Sequence, residues 1–186
     1  MDPESCKLKI CMVGDEGVGK TSLVRSFAGE AFDDAYKRTL GTAVTKVDLG
    51  QVGERLRATL VIWDIMGDKQ FFRLCKDAYF NHVGGILAVF DLTKFETLLS
   101  LYEWIDGIDD MRRRVPVVVL ANKADLREGI KVDEDKVERL CNEASCSWLR
   151  TSAKNGENVQ KAFLDLTQLV VHLPFGTSTL HSRPRD

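Results

Sequence analysis

Gly14-Asp15-Glu16-Gly17-Val18-Gly19-Lys20-Thr21 spells G-x-x-x-x-G-K-T, directly after the apolar run Leu8–Val13. A strand that delivers the chain into a glycine-rich turn, which then opens a helix, makes backbone N–H groups converge on one point. The ligand suited to that point is a polyphosphate. Lys20 would reach the β- and γ-phosphates, and the Thr21 hydroxyl would ligate Mg²⁺. The plain alternative is a chance match in a glycine turn; the strand before it and the apolar helix after it argue against that. The expectation is a nucleoside phosphate site.

Three further short motifs follow in order, each at the end of an apolar run. Asp64-Ile65-Met66-Gly67 is a D-x-x-G: the carboxylate would help hold Mg²⁺ through water, and Gly67 lets a backbone N–H approach a γ-phosphate. In Asn122-Lys123-Ala124-Asp125, Asp125 can accept from both the ring N–H and the exocyclic amine of guanine. Adenine offers no such pair, and buried polar groups left unpaired reject a near-isostere. In Thr151-Ser152-Ala153-Lys154, the Ala153 N–H would meet the guanine carbonyl. Each motif alone also reads as a polar turn with Asp or Ser capping a helix. Four in this order, each after a strand, favour guanine nucleotide.

The combined set, with Thr39 in a switch position and Trp63-Asp64 opening the D-x-x-G, resembles the Ras superfamily of small GTPases over residues 7 to about 172. Thr39-Leu40-Gly41-Thr42 and Trp63-Asp64 are most similar to the Rab branch. Trp63–Gly67 and Tyr79-Phe80 also resemble Rab-like small GTPases of archaea and other prokaryotes. The resemblance implies a guanine-nucleotide-binding molecular switch that binds GTP/GDP with Mg²⁺. Its nucleotide contacts fall on Glu16, Gly17, Val18, Gly19, Lys20, Thr21, Ser22, Phe32, Tyr36, Thr39, Gly67, Asn122, Lys123, Asp125, Ser152, Ala153 and Lys154. Its metal ligands are Thr21, Thr39 and Asp64. Phe32 would pack edge-on against guanine, with the Lys123 stem on the other side, and Tyr36 would close over the phosphates; both also read as surface-loop packing. Trp63 and Val44 read equally as an effector-facing apolar patch or as sheet core. Switch I spans about 31–42 and switch II about 67–78. Effector proteins would read both, and an exchange factor and a GTPase-activating protein would act on the cycle.

Of the groups expected at the catalytic centre (Lys20, Thr39, Gly67 and Asp68), the last departs from the family. Asp68 stands where a water-positioning glutamine is usual; it is shorter and carries charge beside an anionic transition state. A carboxylate with a pKa near 4 is also a weak base. Glu16 stands where a small residue is usual. It would crowd the γ-phosphate and the route of an arginine finger, which supplies ~10³–10⁵ in rate; otherwise it swings outward into solvent or pairs with Lys69 or Arg73, leaving the phosphates undisturbed. Arg38 reads as a solvent-facing arginine, or as positive charge that visits the γ-phosphate. These changes predict slow hydrolysis, with a constitutively GTP-bound effector platform as the alternative. A P-loop kinase is a weaker rival, because it gives Asn122–Asp125 and Ser152–Lys154 no role.

Positioning these groups requires strands that end where the motifs begin. Strands are expected at Leu8–Val13, Val44–Leu49, Ala58–Trp63, Gly85–Phe90, Val115–Leu120 and Trp148–Thr151. Helices are expected at Lys20–Gly29, Gln70–Phe80, Phe95–Met111, Asp133–Glu143 and Asn158–His172. Continuous Val/Ile/Leu runs mark strands covered on both faces, whereas Val44–Leu49 alternates as an edge strand does, before a hairpin at Gly50–Gly53. The alternation predicts an α/β fold: a six-stranded, mostly parallel sheet with one antiparallel edge strand and about five helices on both faces. By resemblance this is a P-loop small G domain over 1–173, followed by a loose tail over 174–186.

The chain has 186 residues, 44% of them hydrophobic and 29% charged, which suits one soluble domain. Its net charge of −2 gives no case for nucleic acid. Five scattered cysteines offer no disulfide framework and no metal-ligand spacing, so idle thiols in a reducing cytoplasm are expected. No cysteine follows Cys146, and Asp2 stands where a myristoyl signal requires glycine, so no intrinsic membrane anchor is read. The expected location is cytoplasmic, reaching a membrane only through a partner.

Overall fold

Gly85–Asp91 is buried at every position, as a strand with helices on both faces must be. It is β4 of a computed structural model that describes residues 4–33, 38–52, 56–109 and 115–172. Tyr36, the residues of the expected 174–186 tail and the N-terminal Met1–Pro3 lie outside the described residues. The remaining strands are β1 Glu4–Val13, β2 Thr42–Val52, β3 Leu56–Ile65, β5 Val117–Asn122 and β6 Ser147–Arg150. The helices are α1 Lys20–Phe27, α2 Lys69–Phe80, α3 Phe95–Asp109, α4 Glu134–Glu143 and α5 Val159–His172, with a short 3₁₀ turn at Arg127–Gly129.

The sheet order is β2-β3-β1-β4-β5-β6. Only the β2–β3 pair is antiparallel, so the α/β sheet with one antiparallel edge strand is as expected. Strand order reverses between β1 and β4. A crevice at the carboxyl ends of strands, beside such a reversal, is where doubly wound sheets take ligands.

Side chains alternate along the inner strands and divide the core in two. Cys11, Val13, Ile86, Ala88 and Phe90 face one side, with Phe72 and Phe80 of α2, Trp104 of α3 and Leu140 of α4. Ile10, Met12, Leu87 and Val89 face the other, with Leu23 and Phe27 of α1 and Phe163 and Leu166 of α5. Phe27 and Phe163 stack with centroids 4.0 Å apart. Each large apolar side chain buried this way contributes about 1.5–3 kcal/mol of transfer free energy, and that fixes the frame from which the loops project.

Two local expectations change. Gly50–Val52 does not turn; it continues β2, pairing with Leu56–Ala58. The two glycines mislead because Gly50, at φ +68°, serves a bulge after Asp48, whose carboxylate accepts the Gly50 N–H at 2.8 Å. β5 starts two residues later than expected and ends on Asn122, which carries the first residue of the N-K-x-D motif inside the sheet.

Candidate functional site

β1 ends at Val13, and the chain turns through Gly14, Gly17 and Gly19, all at positive φ, into α1. Two of these glycines are required by close approach. A Cβ on Gly14 would lie 2.1 Å from the Val89 carbonyl oxygen, and one on Gly19 would lie 2.3 Å from Asn122 Nδ2. Lys20 Nζ donates to the carbonyls of Gly14 (2.6 Å) and Asp15 (2.8 Å), which arches its side chain back over the loop. Burial lowers its pKa to about 8, against the raising influence of Asp64, Asp15 and Glu16. A buried ammonium with only carbonyl partners is well placed to gain from an incoming anion.

Below the loop, Thr21 Oγ1 lies 2.8 Å from Thr39 Oγ1 and donates to Asp64 Oδ2. Asp64 is buried at the end of β3, its second oxygen Oδ1 has no hydrogen-bond partner, and burial raises its pKa. An orphaned carboxylate oxygen beside two hydroxyls is a donor set that fits a hard cation such as Mg²⁺. The three residues expected as metal ligands, contributed by α1, the segment before β2 and β3, therefore meet at one point.

The cleft above them encloses about 260 Å³. Glu16, Gly17, Gly19, Lys20, Thr21, Ser22, Phe32, Thr39, Gly67 and Lys123 line it, together with Arg25, Asp33, Arg38 and Met66. Phe32 is 41% exposed at its edge. Val18, Asp64, Asp68, Asn122, Asp125, Ser152, Ala153 and Lys154 are not among the lining residues. Sequence reasoning missed Arg25, Asp33 and Met66, whose types carry no motif signal.

Asn122 is spent on the fold: its Nδ2 donates to Val18 O (2.8 Å), and Thr151 Oγ1 lies 3.4 Å from its Oδ1. It ties the phosphate loop to both guanine-type motifs. Asp125 Oδ1 accepts from Ser152 Oγ (2.6 Å), which in turn accepts the Lys154 and Asn155 N–H groups. Lys123, at φ +68°, is anchored by an ion pair with the buried Asp91 (2.6 Å). Neither that anchor nor the one for Asp15 was read from the sequence. Asp15 Oδ1 accepts from Ser100 Oγ (2.6 Å) and Trp104 Nε1 (2.9 Å), pinning the loop to α3.

Two charged residues at the catalytic centre take unexpected partners. Glu16 does not reach Lys69 or Arg73, both of which pair with Glu103; it pairs with Arg38 Nε at 3.1 Å across the mouth of the cleft. Arg38 is solvent-facing, as expected, and makes this ion pair there. Asp68, expected in the catalytic set, caps α2 instead: its carboxylate accepts the Phe71 N–H at 2.8 Å. Aspartate followed by a helical run is an N-cap signal that the sequence did carry. Gly67 packs on the loop so closely that a Cβ would lie 2.3 Å from Glu16 N, and Met66 N donates to Gly41 O (2.9 Å). Gly67 thus rests on the phosphate loop, and Met66 beside it is tied to Gly41.

The open question over Trp63 and Val44 divides between them. Trp63 packs on the core and meets Tyr79 edge-on, with Lys9 Nζ 4.1 Å from its ring centre, whereas Val44, opposite it on β2, is 50% exposed.

The model of the Ras family matches residues 9–172. The chain is 31% identical to Ras-related protein RABD2c of Arabidopsis thaliana, over 91% of this chain and 84% of that protein. It is 33% identical to Ras-related protein RIC1 of Oryza sativa subsp. japonica, over 89% and 82%. To Ras-related protein Rab-8B of Dictyostelium discoideum it is 33% identical, over 87% and 78%.

Proposed function

This chain belongs to the Ras family, and on that premise we propose that it is a Rab-like switch that hydrolyses GTP slowly. The observation that carries the slow rate is the Asp68 carboxylate, turned onto its own helix N-terminus by the Phe71 N–H. A side chain used as a cap is not free to orient water in line with a γ-phosphate, and hydrolysis depends on that orientation. The Glu16–Arg38 pair adds to this by occupying the mouth through which an activating arginine would come.

In this reading the N–H groups of Gly17–Thr21 and the Lys20 ammonium bind the phosphates. Asp125 and the Ala153 N–H select guanine, and Asn122 holds the two ends of the site together. Thr21, Thr39 and Asp64 would hold Mg²⁺, which would supply positive charge to offset that of the phosphates. Thr39 and the Gly67 N–H sense the γ-phosphate, so its loss releases the segments they belong to. Effectors read those segments; an exchange factor and an activating protein set their state. The protein works in the cytoplasm. The finer kinship with archaeal and other prokaryotic Rab-like proteins rests on the residues Trp63–Gly67 and Tyr79-Phe80.

A second reading, a platform that stays GTP-loaded, is favoured by the apolar residues exposed on the switch face: Leu40 at 83%, Leu74 at 86% and Val44 at 50%. Denaturing freshly purified protein and identifying the released nucleotide by ion exchange separates the two. GDP supports the slow cycling switch; GTP supports the platform. An adenine nucleotide, or none, would overturn both.

A further inference from the structure

Helix α4 ends in a turn that brings two cysteines together. Cys146 N donates to Cys141 O at 2.9 Å and Ser145 N donates to Asn142 O at 3.3 Å, with Ser145 at φ +50°. These are the two bonds and the left-handed residue of a Schellman terminus, the motif in which the side chains four residues before the C′ position and one after it frequently touch. Apolar residues usually fill those positions. Here they are Cys141, buried, and Cys146, half-buried.

We propose that Cys141 and Cys146 are a reversible oxidation site, at which Cys146 takes up a hydroperoxide and Cys141 resolves it as an intramolecular disulfide. A disulfide needs Cα atoms about 4.4–6.8 Å apart, and the hydrogen bond from the Cys146 N–H to the Cys141 carbonyl draws the two backbones together. The turn therefore brings the two residues side by side before any oxidation.

The roles follow from the asymmetry of the pair. Cys141 is buried and Cys146 half-buried; the neighbouring thiol, with burial, pushes the Cys141 thiol up, while Cys141 beside it holds the Cys146 thiol below its ordinary pKa. The more exposed member is thus the thiolate former, and the thiolate is the nucleophile. Its sulfur attacks one peroxide oxygen and the O–O bond breaks. Hydroxide departs, takes the thiol proton and becomes water, leaving a sulfenic acid on Cys146. The Cys141 sulfur then attacks the Cys146 sulfur; the S–O bond breaks and the hydroxyl leaves with the Cys141 proton as a second water. Two thiols lose two electrons, and the peroxide is reduced to two waters. Closure of the disulfide keeps Cys146 from passing to the sulfinic acid, a step that ordinary thiols cannot reverse.

The test is mass spectrometry of the full chain after a stoichiometric pulse of hydrogen peroxide, with dimedone present to trap sulfenic acid. The expected result is a 2 Da loss from a peptide pair joining Cys141 to Cys146 (about 1 Da per thiol hydrogen lost), restored by dithiothreitol. Cys141→Ser should convert that product into a dimedone adduct on Cys146. Ser145→Val, which disfavours the left-handed turn, should lower the disulfide yield, while Ser145→Gly should keep it. A dimedone adduct or sulfinic acid on Cys146 of the unsubstituted chain, or a bond from Cys146 to a second chain, overturns the proposal. So does oxidation of Cys6 or Cys75 while Cys146 stays reduced. None of these outcomes depends on nucleotide chemistry.

Discussion

The two ends of the cleft are built on opposite plans. At the Asn122–Asp125 and Ser152–Lys154 end, polar side chains have partners within the fold: Asn122 on Val18 and Thr151, Asp125 on Ser152, Lys123 on Asp91. Asn122, Thr151 and Ser152 are fully or almost fully buried. At the switch end the buried carboxylate of Asp64 keeps an orphaned oxygen, Glu16 and Arg38 pair in solvent, and Leu40 and Leu74 stand out from the surface. The difference teaches how rigidity is distributed. Discrimination between bases needs donors and acceptors fixed in advance, because a mobile site can re-pair around the wrong one. A switch needs the reverse, a few weak contacts that one phosphate and one cation can tip.

Four substitutions break or sharpen that contrast. The largest effect is expected from Gly19→Ala, which strikes the joint between the ends. Its Cβ would meet Asn122 Nδ2 at 2.3 Å from a φ of +99°, and backbone strain of this kind costs on the order of 1–3 kcal/mol before the clash is added. Titration with a fluorescent guanine nucleotide should show affinity down at least about a hundredfold, since each 1.4 kcal/mol is about tenfold. Wild-type affinity would mean that the two ends are not coupled through Asn122.

Asn122→Ala removes the clamp without a clash. It leaves the buried Val18 carbonyl unpaired, which costs about 1–3 kcal/mol, read as a lower denaturation midpoint in urea. If the midpoint stays while affinity falls, the residue contacts ligand and does not chiefly fasten the loop.

Asp68→Gln tests the switch end. Loss of the cap should cost about 0.5–2 kcal/mol of stability, while single-turnover GTP hydrolysis should rise. Glu16→Gly in the same chain should raise it further. Stability lost with no gain in rate would show that the cap is not what keeps hydrolysis slow.

Glu16→Ala is expected to do least. The pair it breaks is half-exposed, and such pairs contribute about 0–1 kcal/mol. Any change in nucleotide release at low salt should vanish near 1 M, where the Debye length is about 3 Å. An effect that survives high salt would mean that the pair is shielded from solvent and belongs to the rigid end.

How much of this was legible depended on sequence distance. Loop, strand and helix of the phosphate site lie within Leu8–Phe27, so period, glycine spacing and Lys20-Thr21 could be read together. β4 announced itself as an unbroken apolar run. The bulge at Asp48–Gly50 was legible in principle, but two glycines looked like a turn, and only the β3 register shows the strand continuing. Asp68 carried its own cap signal, and family resemblance drew attention to catalysis instead. The partners of Asp15 lie 85 and 89 residues away on α3, and Asp91 meets Lys123 across the β4–β5 edge; no local pattern could reveal either.

The phosphate-loop motif and the sheet were legible in the sequence alone. Both rest on contacts between near neighbours: backbone N–H groups in one turn, side chains alternating along one strand. Only the tertiary structure decided which charge answers which. Lys69 and Arg73 were the candidates for Glu16, but the packing of α2 against α3 gives both to Glu103, and Arg38, which the sequence did not suggest, pairs with Glu16. The same holds for Cys141 and Cys146: five residues of spacing mean nothing until a helix ends between them in a left-handed turn. An ion pair or a thiol pair is fixed by where backbones stop, and that is a property of the packed chain.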